Sequence, residues 1–490
     1  MDIKEWLPEF KVSAESDEQL KTYFLKTSVL SEIISNEKWL VLGRKGTGKS
    51  AIYEFIAKSQ PNEINNYHSI PLNFSSYPWP IHALYKDSLE GELNAYQKSW
   101  HYLIVVKSLS KLIQLKENDL NSELKKCKQY FETIFGSPDP SLIDIVKSKL
   151  HRIDKISLPN LEAGDLSVSA GEISFEEIPD NEALKSKLRS NAFTLTSYFE
   201  KILNNNIGQH KLILIFDQLD ENWLNSEIEV YSKILSNLIN ASRAINSNVS
   251  LSKNIKTIVF MRSDIYETLK FNDKTKIFED SATEITWDEA TLNEMYWQRI
   301  LAFKPDDLIL DESKKTNSIF EIKNVRHGAT PFKHIMRRSF LRPRDLITYM
   351  NKIRKIHNAN KTGLYTSKDI YSAENGYSQT LYGELIDEWT NQLPEIKMYL
   401  NVLQNIGIQT FTYNDFEKNS QHEFNSPSKS QIQDILTFLF KNSIIGQKQN
   451  ANWEYVCTNP YIQINFEKPF HVNSGLKQRL VLTEKRSDRK

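Results

Sequence analysis

One octapeptide constrains this chain more than any other feature. A short apolar run, Trp39-Leu40-Val41-Leu42, leads into Gly43-Arg44-Lys45-Gly46-Thr47-Gly48-Lys49-Ser50, and Ile52, Phe55 and Ile56 then recur at helical spacing. The pattern is G-x-x-x-x-G-K-[ST] between an expected strand and an expected helix, the setting the motif requires. Glycines let the backbone bend and bring N–H groups up to an anion with no Cβ in the way. The helix starting near Gly48 adds its positive end. In that geometry Lys49 reaches the β- and γ-phosphates of a nucleoside triphosphate and Ser50 Oγ takes one position on Mg²⁺. The candidate nucleotide-binding residues are therefore Gly43, Arg44, Lys45, Gly46, Thr47, Gly48, Lys49, Ser50 and Ala51.

The whole chain narrows the field. Its 490 residues predict two to four domains. Sixty-two basic residues balance 62 acidic ones, so no global field draws the chain onto nucleic acid or a membrane, and only local patches could. Cys127 and Cys457 are far apart with no Cys/His ligand spacing, which predicts a reducing compartment, no disulfide framework and no structural zinc. The first residues are too acidic and polar for a signal peptide, and no apolar run approaches membrane-spanning length. The expected location is the cytoplasm.

Along the chain, a helix is expected over Gln19–Ile34, a strand over Tyr67–Phe74, and a long helical tract from Ala95 to about Phe135, broken by Pro138-Asp139-Pro140. Residues 151–182 alternate apolar and small polar residues around Gly164 and Gly171, reading as a hairpin-forming insertion or a flexible acidic loop. Lys211–Phe216 is a continuous apolar run ending in Asp217, and Asn254–Met261 is another ending in Arg262. Such runs are strands buried on both faces. A helix over Glu227 to about Ala244 lies between them, and alternating strands and helices make an α/β fold with a covered parallel sheet. Helices are expected from Thr286 to Arg299 and from Pro343 to Ile353, then a linker over residues 358–378. In the tail, helices at Pro394–Asn405 and Ser430–Lys441 with strands at Ile408–Tyr413, Ile444–Gln449 and Trp453–Thr458 outline a winged helix. The expected division is a core over residues 1–285 with an insertion at about 95–182, a helical lid over 286–357, the linker, and a winged-helix-like domain over 379–490.

Four further groups of residues carry chemistry in this pattern. Asp217, at the end of the buried run, is the candidate Mg²⁺ acid; a hard dication that keeps several waters needs only one carboxylate beside Ser50. Asp220 or Glu221 is the candidate base that polarises an attacking water, the alternative being a solvated helix cap. Arg262, at the carboxyl end of the next strand, is placed to meet a γ-phosphate, the alternative being a surface pair with Asp264. Arg337, Arg338, Arg342 and Arg344 cluster in RRSFLRPRDL. Pro343 opens a helix, so Arg344 projects from its first turn towards a nucleotide, while Arg337 or Arg338 could reach a neighbouring subunit's; the alternatives are a general nucleic-acid patch and a solvated helix end. Tyr23 or Phe24 either lines an adenine pocket or packs in the core.

GRKGTGKSAI, LILIFDQLDENW, TIVFMRSDIYETL, ITWDEATLNEMYWQRI and RPRDLITYMNKI occur in that order. Together they resemble bacterial P-loop ATPases of the AAA+, STAND and KAP (ASCE) group, and the origin-recognition-type AAA+ ATPases with a C-terminal winged helix. The resemblance covers residues 20–355 well and the tail loosely. It implies an ASCE core with a helical lid, ATP and Mg²⁺ as ligands, ATP-controlled self-association, and a place in antiviral defence or mobile-element systems. It also implies Lys49 and Ser50 as the phosphate-loop pair, Asp217 as the Mg²⁺ acid and Arg344 as the lid arginine. Gln218 departs from it, standing where many AAA+ members carry the catalytic glutamate, and Asp220 is the nearest acid of the STAND and KAP type. Arg262 also replaces the usual neutral polar sensor.

Three functions follow as expectations: a slowly hydrolysing regulatory ATPase that self-associates, with an effector partner through the C-terminal domain; a DNA-binding ATPase in replication loading or transposition targeting; or a non-hydrolysing scaffold. The candidate recognition helix, SQIQDILTFLFKNS, has an apolar packing face and Asp434, which repels phosphate, so protein contact suits it at least as well as DNA.

Overall fold

The computed structural model describes residues 1–35, 37–75, 77, 79, 82, 92–146, 196–220, 228–248, 251, 253–449 and 452–484. The expected hairpin over residues 151–182 lies outside them. The chain divides into two compact units. A sheet unit comprises Lys26–Arg44 and Lys49–Ile285, and a helical unit comprises Met1–Leu25, Lys45–Gly48 and Thr286–Lys490.

The sheet unit is built on five parallel strands: β1 (Leu40–Gly43), β2 (Tyr67–Asn73), β3 (Lys211–Asp217), β4 (Ile255–Arg262) and β5 (Ala282–Glu284). Their order is β2-β3-β4-β1-β5, and every pairing is parallel. The strand carrying Asp217 is thus separated from the strand before the glycine loop by β4. With helices flanking the sheet, this is the α/β arrangement of a P-loop NTPase core. The register sets Gly43 opposite Arg262 and Asn73 opposite Asp217, so all four stand at carboxyl ends. β1 and β3 are almost wholly buried, as continuous apolar runs require.

The Lys49–Lys58 helix buries Ile52, Tyr53, Phe55 and Ile56. The Glu92–Leu115 helix packs on Ile228–Ser247, where Trp100 Nε1 donates to Ile234 O at 2.9 Å. Trp100 also meets Phe216 edge-on, and Phe74 stacks on Phe216 with centroids 5.7 Å apart.

Three expectations that bear on helices need correction. The tract from Ala95 to Phe135 is two helices, Glu92–Leu115 and Ser122–Phe135, because Asn121 turns out of the helix and its side chain accepts the Leu124 N–H. Gln19–Ile34 is a short 3-10 turn, Leu20–Thr22, followed by a helix only over Ser28–Ile34. Asp17 explains the break: its carboxylate takes the Tyr23 hydroxyl at 2.6 Å and the Gln19 N–H at 3.2 Å, bonds that compete with helix. The linker at 358–378 is helical from Ser367 onward. There a capping box with Asp369 starts a helix over Ser367–Trp389 that buries Ile370, Ala373, Tyr377 and Leu381.

In the helical unit, Asp288 caps Glu289–Phe303, and the helices Pro331–Met336, Pro343–Ile356, Ser367–Trp389, Ile396–Ile406, Tyr413–Glu423 and Lys429–Lys441 follow. A four-stranded antiparallel sheet closes the tail in the order β6 (Thr410–Phe411), β9 (Phe470–Val472), β7 (Ile445–Gln449), β8 (Asn452–Glu454). The second strand expected over Trp453–Thr458 is only β8, since a turn begins beyond Tyr455. The first residues are tied down here. Ile3 N–H donates to Gly363 O at 2.9 Å, Arg354 donates to Leu7 O and Lys4 O, and His357 lies between Asp2 and Asp369. Among the described residues no helix is long and apolar enough to cross a membrane.

Phe216 links packing to the site, because it is fully buried and immediately precedes Asp217. Phe216→Ala is expected to lower the stability of the sheet unit by about 3–5 kcal/mol, read as a shifted midpoint in denaturant unfolding.

Candidate nucleotide-phosphate site

The loop after β1 has the backbone its sequence demands. Gly46 and Gly48 take φ of +83° and +99°, where a side chain is strained. At Gly46 an added Cβ would also lie 3.2 Å from the Cβ of Arg344. Thr47 is buried, Lys45, Gly48, Ser50 and Ala51 are half-buried, and Arg44 is exposed. The helix begins at Lys49. The Lys49 ammonium donates to two carbonyls of its own loop, Gly43 O at 2.8 Å and Arg44 O at 3.1 Å. Burial lowers its pKa from the ordinary lysine value, opposed by the carboxylates of Asp220 and Asp217.

Asp217 is the centre of the charged cluster within the sheet unit. It is 3% exposed. Burial raises its pKa from 3.8 to about 6, although the Gln218 N–H, the Ser50 hydroxyl and the Lys49 charge all favour the ionised form. The Ser50–Asp217 hydrogen bond joins the two residues expected to serve one Mg²⁺. Both are hard oxygen donors, the set such an ion takes alongside water and phosphate. No group of three or more His, Cys, Asp or Glu suited to a metal occurs among the described residues. Directly after Asp217, Gln218 holds a left-handed φ of +61°. Such strain in a non-glycine residue gathers at functional positions, and no residue pattern around Gln218 announces it.

Arg262 is not on the surface. It is 7% exposed, and its guanidinium grips Asp264 with two bonds, at 3.0 and 2.7 Å. Its Nη1 stands 3.5 Å from Asp220. The arginine expected to meet a γ-phosphate and the acid expected to act as base are therefore partners in this structure. Glu221 lies outside the described residues.

The helical unit contains Lys45–Gly48 and brings its own residues to them. Arg342 Nη1 donates to Lys45 O at 3.1 Å, the Arg344 N–H faces Gly46 O at 3.5 Å, and Trp287 Nε1 donates to Thr47 O at 2.8 Å. Arg342 is buried. Desolvation opposes its charge, but Asp345 at 3.1 Å and Glu388 at 3.2 Å outweigh it and hold its pKa above the ordinary arginine value. Of the four clustered arginines, then, Arg344 and Arg342 adjoin the loop. Arg338 instead pairs with Glu374 at 3.1 Å, and Arg337 is exposed. Trp287 escaped the sequence reading because it belongs to no apolar stripe. Its one signal is its position just before the capping residue Asp288. Tyr23 is a core residue, its hydroxyl on Asp17 and its ring beside Phe10 and under the Arg299 guanidinium; Phe24 is half-buried.

Burial gives the Asp217 carboxylate a pH-dependent cost to folding. Above about pH 6 the carboxylate is ionised in folded and unfolded chains, and the folded state bears the desolvation cost. Between about 6 and 4 the folded chain holds a proton that the unfolded chain has released, so this cost fades as pH falls. Asp217→Asn is therefore expected to stabilise the nucleotide-free protein by up to about 3 kcal/mol at pH 8, with the gain vanishing by about pH 4. Denaturant unfolding of both proteins across that range reads it.

Residues 290–386 match the FunZ-associated C-terminal helical domain, a segment running from the Glu289–Phe303 helix into Ser367–Trp389. An 80.3 kDa Escherichia coli K12 protein named after transposon gamma-delta is 22% identical over 429 residues, covering 83% of this chain and 55% of its own length. This chain thus spans about half the length of that curated relative. A Walker-type ATPase of Pyrococcus abyssi superposes with a TM-score of 0.39 at 13% identity, covering 95% of each chain. The Cdc6 protein of Pyrobaculum aerophilum gives 0.32 at 11% identity, over 98% of this chain and 95% of its own. The ORC1 protein of Aeropyrum pernix, solved in complex with DNA, gives 0.36 at 8% identity, over 98% and 94%. These similarities assign no family to the chain as a whole.

Proposed function

We propose that this chain is a Mg²⁺-dependent ATP-binding protein of the AAA+/STAND/KAP type that hydrolyses ATP slowly and uses nucleotide to control its self-association. One observation carries the reading: Ser50 bonds the buried Asp217 carboxylate within the field of Lys49, at the carboxyl end of a parallel sheet. A hydroxyl and a carboxylate so joined are ready to share a hard cation, and the adjacent ammonium is ready to meet phosphate. When magnesium is bound it neutralises phosphate charge. The chain's own work is to orient the phosphates with the loop amides, and Lys49 exchanges its two loop carbonyls for phosphate oxygens.

Slow turnover follows from the same residues. Gln218 carries no acid, and Asp220 faces the Arg262 guanidinium. A carboxylate oxygen so engaged is not free to take a proton from an attacking water until that contact is exchanged. Arg262 moving onto a phosphate oxygen would release Asp220, which makes hydrolysis conditional on a rearrangement. Arg344, beside Gly46, is our candidate lid arginine. The tail, with its four-stranded sheet and the Lys429–Lys441 helix, is our candidate winged-helix-like partner-binding domain, and the cytoplasm is our expected location.

The likeness to a protein named after a transposon supports a mobile-element system as the setting, with phage defence as the other. It also favours a second reading, a DNA-binding ATPase in transposition targeting. That reading requires a steeply salt-dependent DNA affinity, and a gel-shift series blank at low salt removes it.

Calorimetry is expected to show Mg·ATP binding by the wild type and none by Lys49→Ala. Asp220→Asn should retain binding while phosphate release falls at least about tenfold. Size-exclusion with light scattering should show a larger particle with a non-hydrolysable ATP analogue. Equal mass with and without the analogue ends the self-association proposal, and an Asp220→Asn variant releasing phosphate at the wild-type rate ends the role given to Asp220.

A further inference from the structure

Three consecutive carbonyls of the glycine loop face donors from the segment 287–344. Lys45 O accepts from Arg342 Nη1, Gly46 O faces the Arg344 amide, and Thr47 O accepts from Trp287 Nε1. A trans peptide is planar, and its carbonyl points opposite to the N–H of the next residue. Holding those carbonyls towards Arg342, Arg344 and Trp287 therefore turns the N–H groups of Gly46, Thr47 and Gly48 the other way. These are amides that a glycine loop offers to phosphate.

We propose that Trp287 and Arg342 are positioning residues of the phosphate loop: they fix the direction of its amides, and so the affinity for the phosphates common to ATP and ADP, without touching nucleotide. This deepens the ATP-binding reading and rests on it.

The two donors are held differently, which gives two independent probes. Arg342 is fastened by Asp345 and Glu388, the latter on the Ser367–Trp389 helix, so the guanidinium has little freedom to leave Lys45 O. Its commitment to two carboxylates and a carbonyl also argues against its reaching for a γ-phosphate, since that would strand buried acids. Trp287 is half-buried and, among the described residues, pairs with no acid; it is linked to the loop by a 2.8 Å bond from the indole nitrogen. Trp287→Phe removes that donor and keeps a ring. A direct sensor of the third phosphate would discriminate ATP from ADP, whereas a loop-positioning residue would not.

The experiment measures Mg·ATP and Mg·ADP affinity by calorimetry, and amide hydrogen exchange in the peptide spanning 45–49, for wild type, Trp287→Phe, Arg342→Lys and Arg342→Met. The expected result is that Trp287→Phe weakens both nucleotides together by about three- to tenfold, with faster loop exchange and an unchanged ATP/ADP ratio. Arg342→Met should weaken both further, and Arg342→Lys, which keeps a donor among the acids, should recover part of the loss. If Arg342→Met does not fold, Trp287→Phe decides alone. Wild-type affinities in Trp287→Phe, or loop amides exchanging no faster, overturn the proposal. Loss of ATP but not ADP binding in the Arg342 variants overturns it for Arg342 by making that residue a phosphate sensor. A wild type that binds neither nucleotide defeats the ATP reading itself, and the affinity claim with it. Failure of the positioning idea alone is different: the wild type binds and the variants match it.

Discussion

The carboxylate of Asp217 is the charge around which the sheet unit is arranged. It stands at the end of a strand buried on both faces, where an ion is costly, and its elevated pKa is the signature of that cost. The parallel register puts it level with Asn73, and the Ser50 hydroxyl and the Gln218 amide are spent on holding it. Displace it by one residue and the period of two in a strand would turn it to the opposite face. The strained turn at Gln218, the aromatic packing behind Phe216 and the position of the loop helix all answer to that placement.

Both units use the same device for a buried arginine, a guanidinium shared between two carboxylates. Arg262 has Asp264 and Asp220; Arg342 has Asp345 and Glu388. Buried ion pairs of this kind add little net stability compared with apolar packing, but removing one partner strands the other charge. Their value lies in direction. A planar fork held on two sides has one remaining aim, which for Arg342 is a loop carbonyl. The looser of Arg262's two contacts, at 3.5 Å to Asp220, is the one available for exchange.

Much of this was legible in the residues and some was not. The phosphate loop, the strand ending in Asp217 and the strand ending in Arg262 announce themselves because local rules fix them: glycine at positive φ, apolar runs for strands buried on both faces. The helix inside the expected linker is hidden because its first half carries Ser367, Ser372, Asn375, Gly376 and Ser378, and it is decided by the Thr366–Asp369 cap and by packing of Tyr377 and Leu381. The break after Tyr23 depended on one carboxylate, Asp17, taking a hydroxyl six residues away. Arg342 and Trp287 meet a loop some 240 to 300 positions earlier in the chain, a pairing that no periodicity encodes.

The stitching of the first residues has a consequence for how the molecule is made. Ile3, Leu7 and Phe10 are almost wholly buried, and the partners that hold their neighbourhood include Asn351, Arg354, His357 and Gly363. Ribosomes add roughly 5–20 residues per second, so the amino-terminal segment emerges on the order of 20 to 70 seconds before its docking surface exists. In that interval the sheet unit between them can be completed, while Ile3, Leu7 and Phe10 wait for partners that translation delivers late.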